Sequence, residues 1–231
     1  MTDQEKLREY LRTDLFSYIK RGLKGKIDLT WTDHPGADLR RVHLEGADLT
    51  GATFVGADFT EAHLEQANLS GANLNGANME RVNLFEANLT CAFLFNANLH
   101  RATLSRCNLT DANLTNANLS CAYINSATLT NINLTNANLC GAHIGSKLTN
   151  AILRGADLRG ADINILNLKG ADITNAKFLS SQINNDFLSS CKVFKIIGGE
   201  TIQKCEPTHI NFRELQEEIS KLISDNITKF Q

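Results

Sequence analysis

Two histidines and two glutamates have the spacing in this sequence that most favours metal binding. His43 and His63 are 20 residues apart, and Glu45 and Glu65 each follow a histidine by two residues. Imidazole nitrogens and carboxylate oxygens are ligands for divalent transition metals. They form a site only if the fold places residues 20 apart side by side. We expect no bound metal from this pattern, because repeated surface positions stack whatever they contain, and keep His43 and His63 as the candidate.

Other chemistry is not indicated by the sequence. We find no motif for phosphate binding, nucleophilic catalysis or metal-dependent hydrolysis, so we expect neither an enzyme nor a cofactor. The six cysteines include no C-x-x-C pair and no His/Cys cluster with zinc-ligand spacing, which favours free thiols in a reducing compartment. They are Cys91, Cys107, Cys121, Cys140, Cys191 and Cys205.

Three phenylalanines form the other candidate site. Phe85, Phe93 and Phe95 lie within one short stretch of an otherwise polar region. If all three rings face outward, they exceed what a solvated surface normally shows and predict a patch that binds a protein partner. The alternatives are that the N-terminal helix or a neighbouring chain covers them, or that a turn directs a ring inward.

A five-residue repeat decides how these residues are placed. From Leu39 to Ile144 every fifth residue is Leu, Ile, Met or Phe, which gives 22 successive central residues. Two positions before the centre, 18 of the 22 residues are Ala. The exceptions are Val42, Val82, Cys107 and Ile132. A helix turns about 100° per residue and a strand has a period of two, so neither fits. The repeat predicts a three-residue strand, with centre and alanine inward, followed by a two-residue turn.

One residue is missing from the period after Ile144, because the next central residue is Leu148. The period of five then resumes and continues to Ile183, with Leu188 as a doubtful last member. We expect the segment 145–150 to form a local irregularity on the surface.

Tandem A-(D/N)-L-x-x units, as in GADLTGATFVGADFTEAHLEQANLSGANL, resemble the pentapeptide-repeat family over roughly two thirds of the chain. The resemblance implies an all-β repeat solenoid, a right-handed quadrilateral parallel β-helix with four repeats per turn. Residues 20 apart would then stack, which places His43 beside His63 and Glu45 beside Glu65. We also expect stacked Asn and Thr residues to form hydrogen bonds between coils.

Both ends of a solenoid need a cover over the last apolar layer. We predict an amphipathic helix as the N-terminal cap in residues 1–26, the repeat solenoid in residues 27–188, and a C-terminal cap of hairpin plus amphipathic α-helix in residues 189–231. The apolar stripe of the last helix either closes the final coil or pairs with a second chain, so the chain is a monomer or a homodimer. Its residues are Phe212, Leu215, Ile219, Leu222, Ile223, Ile227 and Phe230.

Composition narrows the choice of partner and location. The formal net charge is −2, so no direct nucleic-acid binding is expected. We see neither a signal peptide nor an apolar run long enough for a membrane span, and therefore expect a cytoplasmic protein. Export without a cleavable signal stays open.

These observations predict a non-catalytic scaffold that binds a protein partner. Quinolone-resistance members of the family mimic DNA and inhibit type II topoisomerases, which is the first alternative. Such mimicry needs a continuous anionic face, but residues 83–143 carry only Glu86 and Asp111 against Arg101 and Arg106. A bacterial effector secreted into a host cell is the second alternative.

Overall fold

The computed structural model describes residues 27–168 and 170–178. Both predicted caps, including the seven apolar residues of the last helix, and Leu188 lie outside the described residues. In the described part the chain winds into a solenoid whose parallel β-bridges join residues 20 apart. Strands β1 (His143–Ile144) and β2 (Asp162–Ile163) pair in parallel, and a 3-10 helix spans Ile165–Leu168.

The interior of the solenoid consists of the central residues of the repeat and the small residues two positions earlier. From Leu39 to Leu158 no central residue is more than 3% exposed. Burial of one leucine side chain contributes about 1.5 to 3 kcal/mol, so many similar layers share the stabilisation. The intervening strand residues, such as Asn108, point outward. This alternation is what the five-residue repeat predicts.

Backbone hydrogen bonds join each coil to both of its neighbours. The amide of Leu39 donates to the carbonyl of Asp58 at 2.8 Å, and the amide of Asp58 donates to the carbonyl of Ala37 at 2.9 Å. The same pattern recurs along the described coils. Adjacent coils are therefore held at the spacing of paired strands, about 4.8 Å.

Most of the described turns place one residue in the left-handed region of the backbone. The second turn residue has positive φ, as in Gly46 (66°) and Asn116 (59°). The following residue donates its amide to the carbonyl of the preceding centre, for example Ala47 to Leu44 at 3.1 Å. A hydrogen-bonded turn with positive φ at its third residue alone is of type II, which favours Gly and Asn there.

The bridges form four ladders, which define four faces of the solenoid. We name two of them from their outward side chains. The histidine face contains His43, His63, Asn83, Thr103, Tyr123, His143 and Asp162. The aromatic face contains Asp33, Thr53, Asn73, Phe93, Asn113, Asn133, Ile152 and Asp172. Ten residues, half a coil, separate neighbouring positions of the two faces, so they lie on opposite sides.

The missing residue shortens one turn, and part of this irregularity is buried. Bridges change from a spacing of 20 to 19 there, as in Asn133 with Ile152. Ser146 takes the alanine position of its repeat and is 3% exposed. Its hydroxyl donates to the carbonyl of Ile124 at 2.7 Å and accepts from the amide of Ala127 at 2.8 Å. Four of the six residues 145–150 are exposed, as expected of a surface irregularity. Ser146 is buried because its hydroxyl replaces a turn hydrogen bond of the adjacent coil.

A buried imidazole occupies a central position in the first described coil. His34 is 4% exposed, its ring lies 5.5 Å from that of Phe54, and its Nε2 has no hydrogen-bond partner. Burial lowers the pKa of His34, while the charge of Asp33 partly opposes this. The sequence analysis began the repeat phase at Ala37 and missed this position, although Asp33-His34 continues the same phase.

The buried central residues of the repeats should contribute most to the free energy of unfolding. We expect Leu114→Ala to lower the free energy of unfolding by about 2 to 5 kcal/mol, because it leaves a cavity between layers. Ile152→Ala is the matched control, since that side chain is 37% exposed, and should cost less than about 1 kcal/mol. Urea unfolding followed by circular dichroism measures both. Equal losses would show that the central stack is not what stabilises the chain.

His34→Leu should stabilise the chain more at acidic than at neutral pH. The pKa of His34 is lowered in the folded state, so the unfolded state binds a proton that the folded state rejects, and stability falls as pH drops through about 6.5. The gap between variant and wild type should grow by up to about 1.4 kcal/mol per pH unit below that value. Denaturant titrations between about pH 8 and pH 5 measure it. His143→Leu replaces an exposed imidazole; the same gain there would contradict the assignment.

Candidate functional site

His43 and His63 are direct neighbours on adjacent coils. Their rings stack with centroids 4.6 Å apart and planes 6° apart. Nδ1 of His43 lies 2.8 Å from Oε1 of Glu45, and Nδ1 of His63 lies 3.3 Å from Oε1 of Glu65. The structure therefore brings together the four residues that the sequence analysis paired. His43 and His63 remain the candidate metal ligands.

The glutamates of this cluster differ in their surroundings. Burial acts to raise the pKa of Glu45, but the hydrogen bond with His43 and the nearby imidazoles lower it below its ordinary value. Glu65 accepts a hydrogen bond from Nδ2 of Asn83 through Oε1, while its Oε2 is shielded from water and has no partner. One donor atom each from His43, Glu45 and His63 lie within 4.8 Å of one another. These three residues could hold one cation.

A second stacked pair lies further along the histidine face. The rings of Tyr123 and His143 are 4.9 Å apart, and Nδ1 of His143 lies 3.5 Å from Oδ2 of Asp162. The sequence analysis missed this pair, although its spacing of 20 is the same signal that identified the first one. This second pair contains one imidazole and no glutamate.

Phe85, Phe93 and Phe95 do not form one patch. Phe93 is 50% exposed and Phe95 is 41% exposed, as expected. Phe85 is half-buried, with the guanidinium of Arg106 5.6 Å from its ring centre. It lies ten residues, half a coil, before Phe95, and therefore on the opposite corner. The prediction of a single aromatic cluster was wrong, because two residues ten positions apart on one coil lie on opposite sides of the solenoid.

Exposed apolar side chains instead concentrate on the aromatic face and its two bounding turns. Of the six large exposed apolar residues in the described part of the chain, five lie there. They are Trp31, Val55, Phe93, Phe95 and Ile152, and the sixth is Tyr123 on the histidine face. The sequence analysis missed Trp31, Val55 and Ile152, which sorting residues by position within the 20-residue coil would have found.

The middle of the aromatic face is also nearly uncharged. Between residues 50 and 150 the face and its bounding turns contain one charged residue, Asp111. Charges lie instead on the turns that bound the histidine face. There Arg41 and Arg81 contact Glu61 at 2.8 and 3.3 Å. The hydrogen bond from Arg41 lowers the pKa of Glu61. Such exposed pairs add little stability, so this distribution matters mainly for recognition.

Asparagines connect successive coils on two further faces. On the ladder that includes Asp38 and Asp58, the Asn78 amide donates to Asp58 and the Asn98 amide to Asn78, at 3.3 and 2.9 Å. Several threonine hydroxyls instead donate within their own coil, as Thr90 does to Asn88 at 2.6 Å. The expected Asn ladders are present, whereas the expected threonine ladders are largely replaced by these local bonds.

The described cysteines are free thiols. Cys91, Cys107, Cys121 and Cys140 form no disulfide, while Cys191 and Cys205 lie outside the described residues. Cys107 replaces an alanine in the core, and burial raises the pKa of its thiol to about 12. This thiol is therefore structural and chemically inert.

No helix in residues 27–168 and 170–178 has the length and apolar character needed to cross a membrane.

Comparison with known proteins identifies the family. The family model for pentapeptide repeats matches eight copies, in residues 26–60, 62–101, 92–131, 117–146, 124–164 and 144–178. The chain therefore belongs to the pentapeptide repeat family. Solved members form right-handed quadrilateral β-helices, in agreement with the four ladders and the spacing of 20. A search of curated proteins gave no significant match.

Several solved structures are similar to this chain. HetL from Nostoc sp. strain PCC 7120, involved in heterocyst differentiation regulation, is 26% identical, with a TM-score of 0.39 over 76% of this chain and 94% of HetL. QnrB1, a plasmid-mediated fluoroquinolone resistance protein, is 17% identical, with a TM-score of 0.34 over 68% of this chain and 90% of QnrB1. Rfr23 from Cyanothece 51142 is 27% identical, with a TM-score of 0.19 over 64% of this chain and 87% of Rfr23.

Proposed function

We propose that this protein is a non-catalytic scaffold whose aromatic face binds a protein partner. The observation that carries the proposal is the segregation of its surface. Of the six large exposed apolar residues in the described part of the chain, five lie on or beside the aromatic face, which has one charged residue between positions 50 and 150. Protein interfaces have a core depleted in charge and enriched in aromatic residues, surrounded by a polar rim. The aromatic face has both features, since Asn and Thr side chains surround Phe93 and Phe95.

The scaffold is rigid at the proposed binding surface. Phe93 and Phe95 flank the buried Leu94, whose amide donates to the carbonyl of Asn113 at 2.8 Å, and the amide of Phe93 donates to Ala72 at 2.9 Å. The backbone is thus fixed to the coils on both sides. Little backbone entropy is lost when such a surface binds, which favours affinity per unit of buried area. A partner with an apolar, weakly charged surface fits this face.

Structural or binding roles are general in the family, and no residue arrangement in the described part of the chain indicates catalysis. We therefore propose that the chain acts by contact alone, as a cytoplasmic protein.

The double variant Phe93→Ser plus Phe95→Ser should stay folded but lose its partner. Both rings are exposed, so the core is untouched, while the apolar contact area is removed. Tyr123→Ser is the matched control, because it removes an aromatic ring that is 48% exposed on the opposite side. Affinity capture from cells of the source organism, with the bound proteins identified by mass spectrometry, measures the difference. Circular dichroism checks the fold of each variant.

Proteins retained by wild type and Tyr123→Ser, but lost by the double variant, are the expected result. Recovery of the same proteins by all three chains would overturn the proposal. Light scattering on the purified chains identifies self-association: a wild-type dimer that becomes a monomer in the double variant would assign the face to a second copy of the chain instead.

DNA mimicry is the alternative that the charge pattern disfavours. Asp38 and Asp58 begin one ladder and Asp157 follows near its end, but the four intervening positions are Asn78, Asn98, Asn118 and Asn138. An anionic face that imitates a phosphate backbone needs regularly spaced charge. This ladder is interrupted for four coils.

We expect no inhibition of gyrase by this protein at micromolar concentration in a DNA supercoiling assay. The variant Asn78→Asp plus Asn98→Asp plus Asn118→Asp restores most of the missing charge and tests whether charge is the cause. Inhibition by the wild-type chain at submicromolar concentration would contradict this expectation and favour topoisomerase binding.

A further inference from the structure

The donor atoms of His43, Glu45 and His63 form a set that suits zinc and related ions. Two imidazoles and one carboxylate, with the remaining positions taken by water, are a common ligand set for Zn²⁺. Nδ1 of His43 lies 2.8 Å from Oε1 of Glu45, and Nδ1 of His63 lies 3.3 Å from Oε1 of Glu65. The ring nitrogen on the carboxylate side is therefore Nδ1 in both histidines. An ion bound there would take the place of the proton that each Nδ1 shares with its glutamate.

Stacking places the two Nδ1 atoms on the same side of adjacent coils. The ring planes differ by 6° and both Nδ1 atoms face a glutamate, so the two nitrogens point in the same direction, toward the carboxylates.

Binding of one ion needs the two rings to rotate out of their stacked arrangement, because the ion must lie in the plane of each ring and the planes are nearly parallel. Donor atoms on one tetrahedral zinc ion lie about 3.4 Å apart, given bonds of about 2.1 Å. Here the donors lie within 4.8 Å of one another. The side chains of His43, Glu45 and His63 are 71%, 47% and 43% exposed, so each has room to rotate toward a shared ion.

Charge also favours a cation at this position. Glu45 and Glu65 are two carboxylates on adjacent coils, and among the described residues no Lys or Arg forms an ion pair with either. Oε2 of Glu65 is shielded from water and has no partner. In contrast, Glu61 on the preceding turn contacts two arginines. No Lys or Arg in the described part of the chain therefore balances the negative charge beside the histidines.

The sequence limits the site to a single ion. The next residue on the histidine face is Asn83, whose amide donates to Glu65, and the following one is Thr103. Neither offers an imidazole or a carboxylate. The donor atoms of this cluster therefore come from two neighbouring coils.

We propose that His43, Glu45 and His63 bind one divalent transition metal ion of the zinc type, which links two adjacent coils of the solenoid. This site lies on the side opposite to the aromatic face, so it is independent of the proposed partner binding.

Titration of the full chain, free of any affinity tag, with Zn²⁺ in a calorimeter tests the proposal. We expect one ion per chain, with affinity reduced by more than about tenfold in His43→Asn and in His63→Asn. Glu45→Gln should weaken binding less. His143→Asn is the matched control, because that imidazole lies on the same face beside Tyr123 without a second histidine, and its affinity should equal that of wild type.

Two further readouts separate this site from the thiols and from loss of folding. Co²⁺ bound to nitrogen and oxygen ligands gives visible bands without the near-ultraviolet charge-transfer bands of thiolate ligation. Zn²⁺ should also raise the melting temperature of the wild-type chain, but not of His63→Asn, because the ion links two coils. Thiolate bands, or binding that is unchanged in both histidine variants, would overturn the proposal, as would the absence of binding to the wild-type chain.

Discussion

Hydrogen bonds between residues about 20 positions apart hold this structure together, and they need coils of nearly constant length. Leu39 and Asp58 show the pattern: each strand is bonded to the coil before it and the coil after it. The inward Leu and Ala side chains fill the space that this spacing creates. Because both contributions repeat every coil, stability is close to a sum over neighbouring layers, as in other repeat proteins. Outward side chains are then free to differ.

The interior of the solenoid was predictable because it obeys one rule. A large residue every fifth position, with a small one two positions earlier, allows a single inward arrangement, and the central residues from Leu39 to Ile144 are buried as expected. His34 was missed because an imidazole does not look like a core residue. The role of Ser146 was not predicted, because a missing residue in the sequence does not reveal that a hydroxyl from one coil completes the turn of another.

Surface sites were less predictable, for a geometric reason. The two stacked histidines were found because a spacing of 20 follows directly from four repeats per turn. Phe85 was grouped with Phe95 on sequence proximity, yet ten residues place them on opposite corners. Conversely, Phe93 and Ile152 share a face although 59 positions separate them in the sequence. Which residues share a surface on such a fold depends on their position within the 20-residue coil, and not on their distance along the sequence.

Constant coil length also determines how a chain of this kind can evolve. Duplication or deletion of a whole coil lengthens or shortens the molecule, while every later side chain stays on the same face of the solenoid. Gain of a single five-residue unit instead rotates all later positions by a quarter turn and dismantles any surface assembled across coils. The short turn at Gly145 shows a third possibility. One residue fewer is accommodated in that turn, and the later residues still pair within the same four ladders. Natural length variation among homologues of this chain should therefore come in multiples of four repeats.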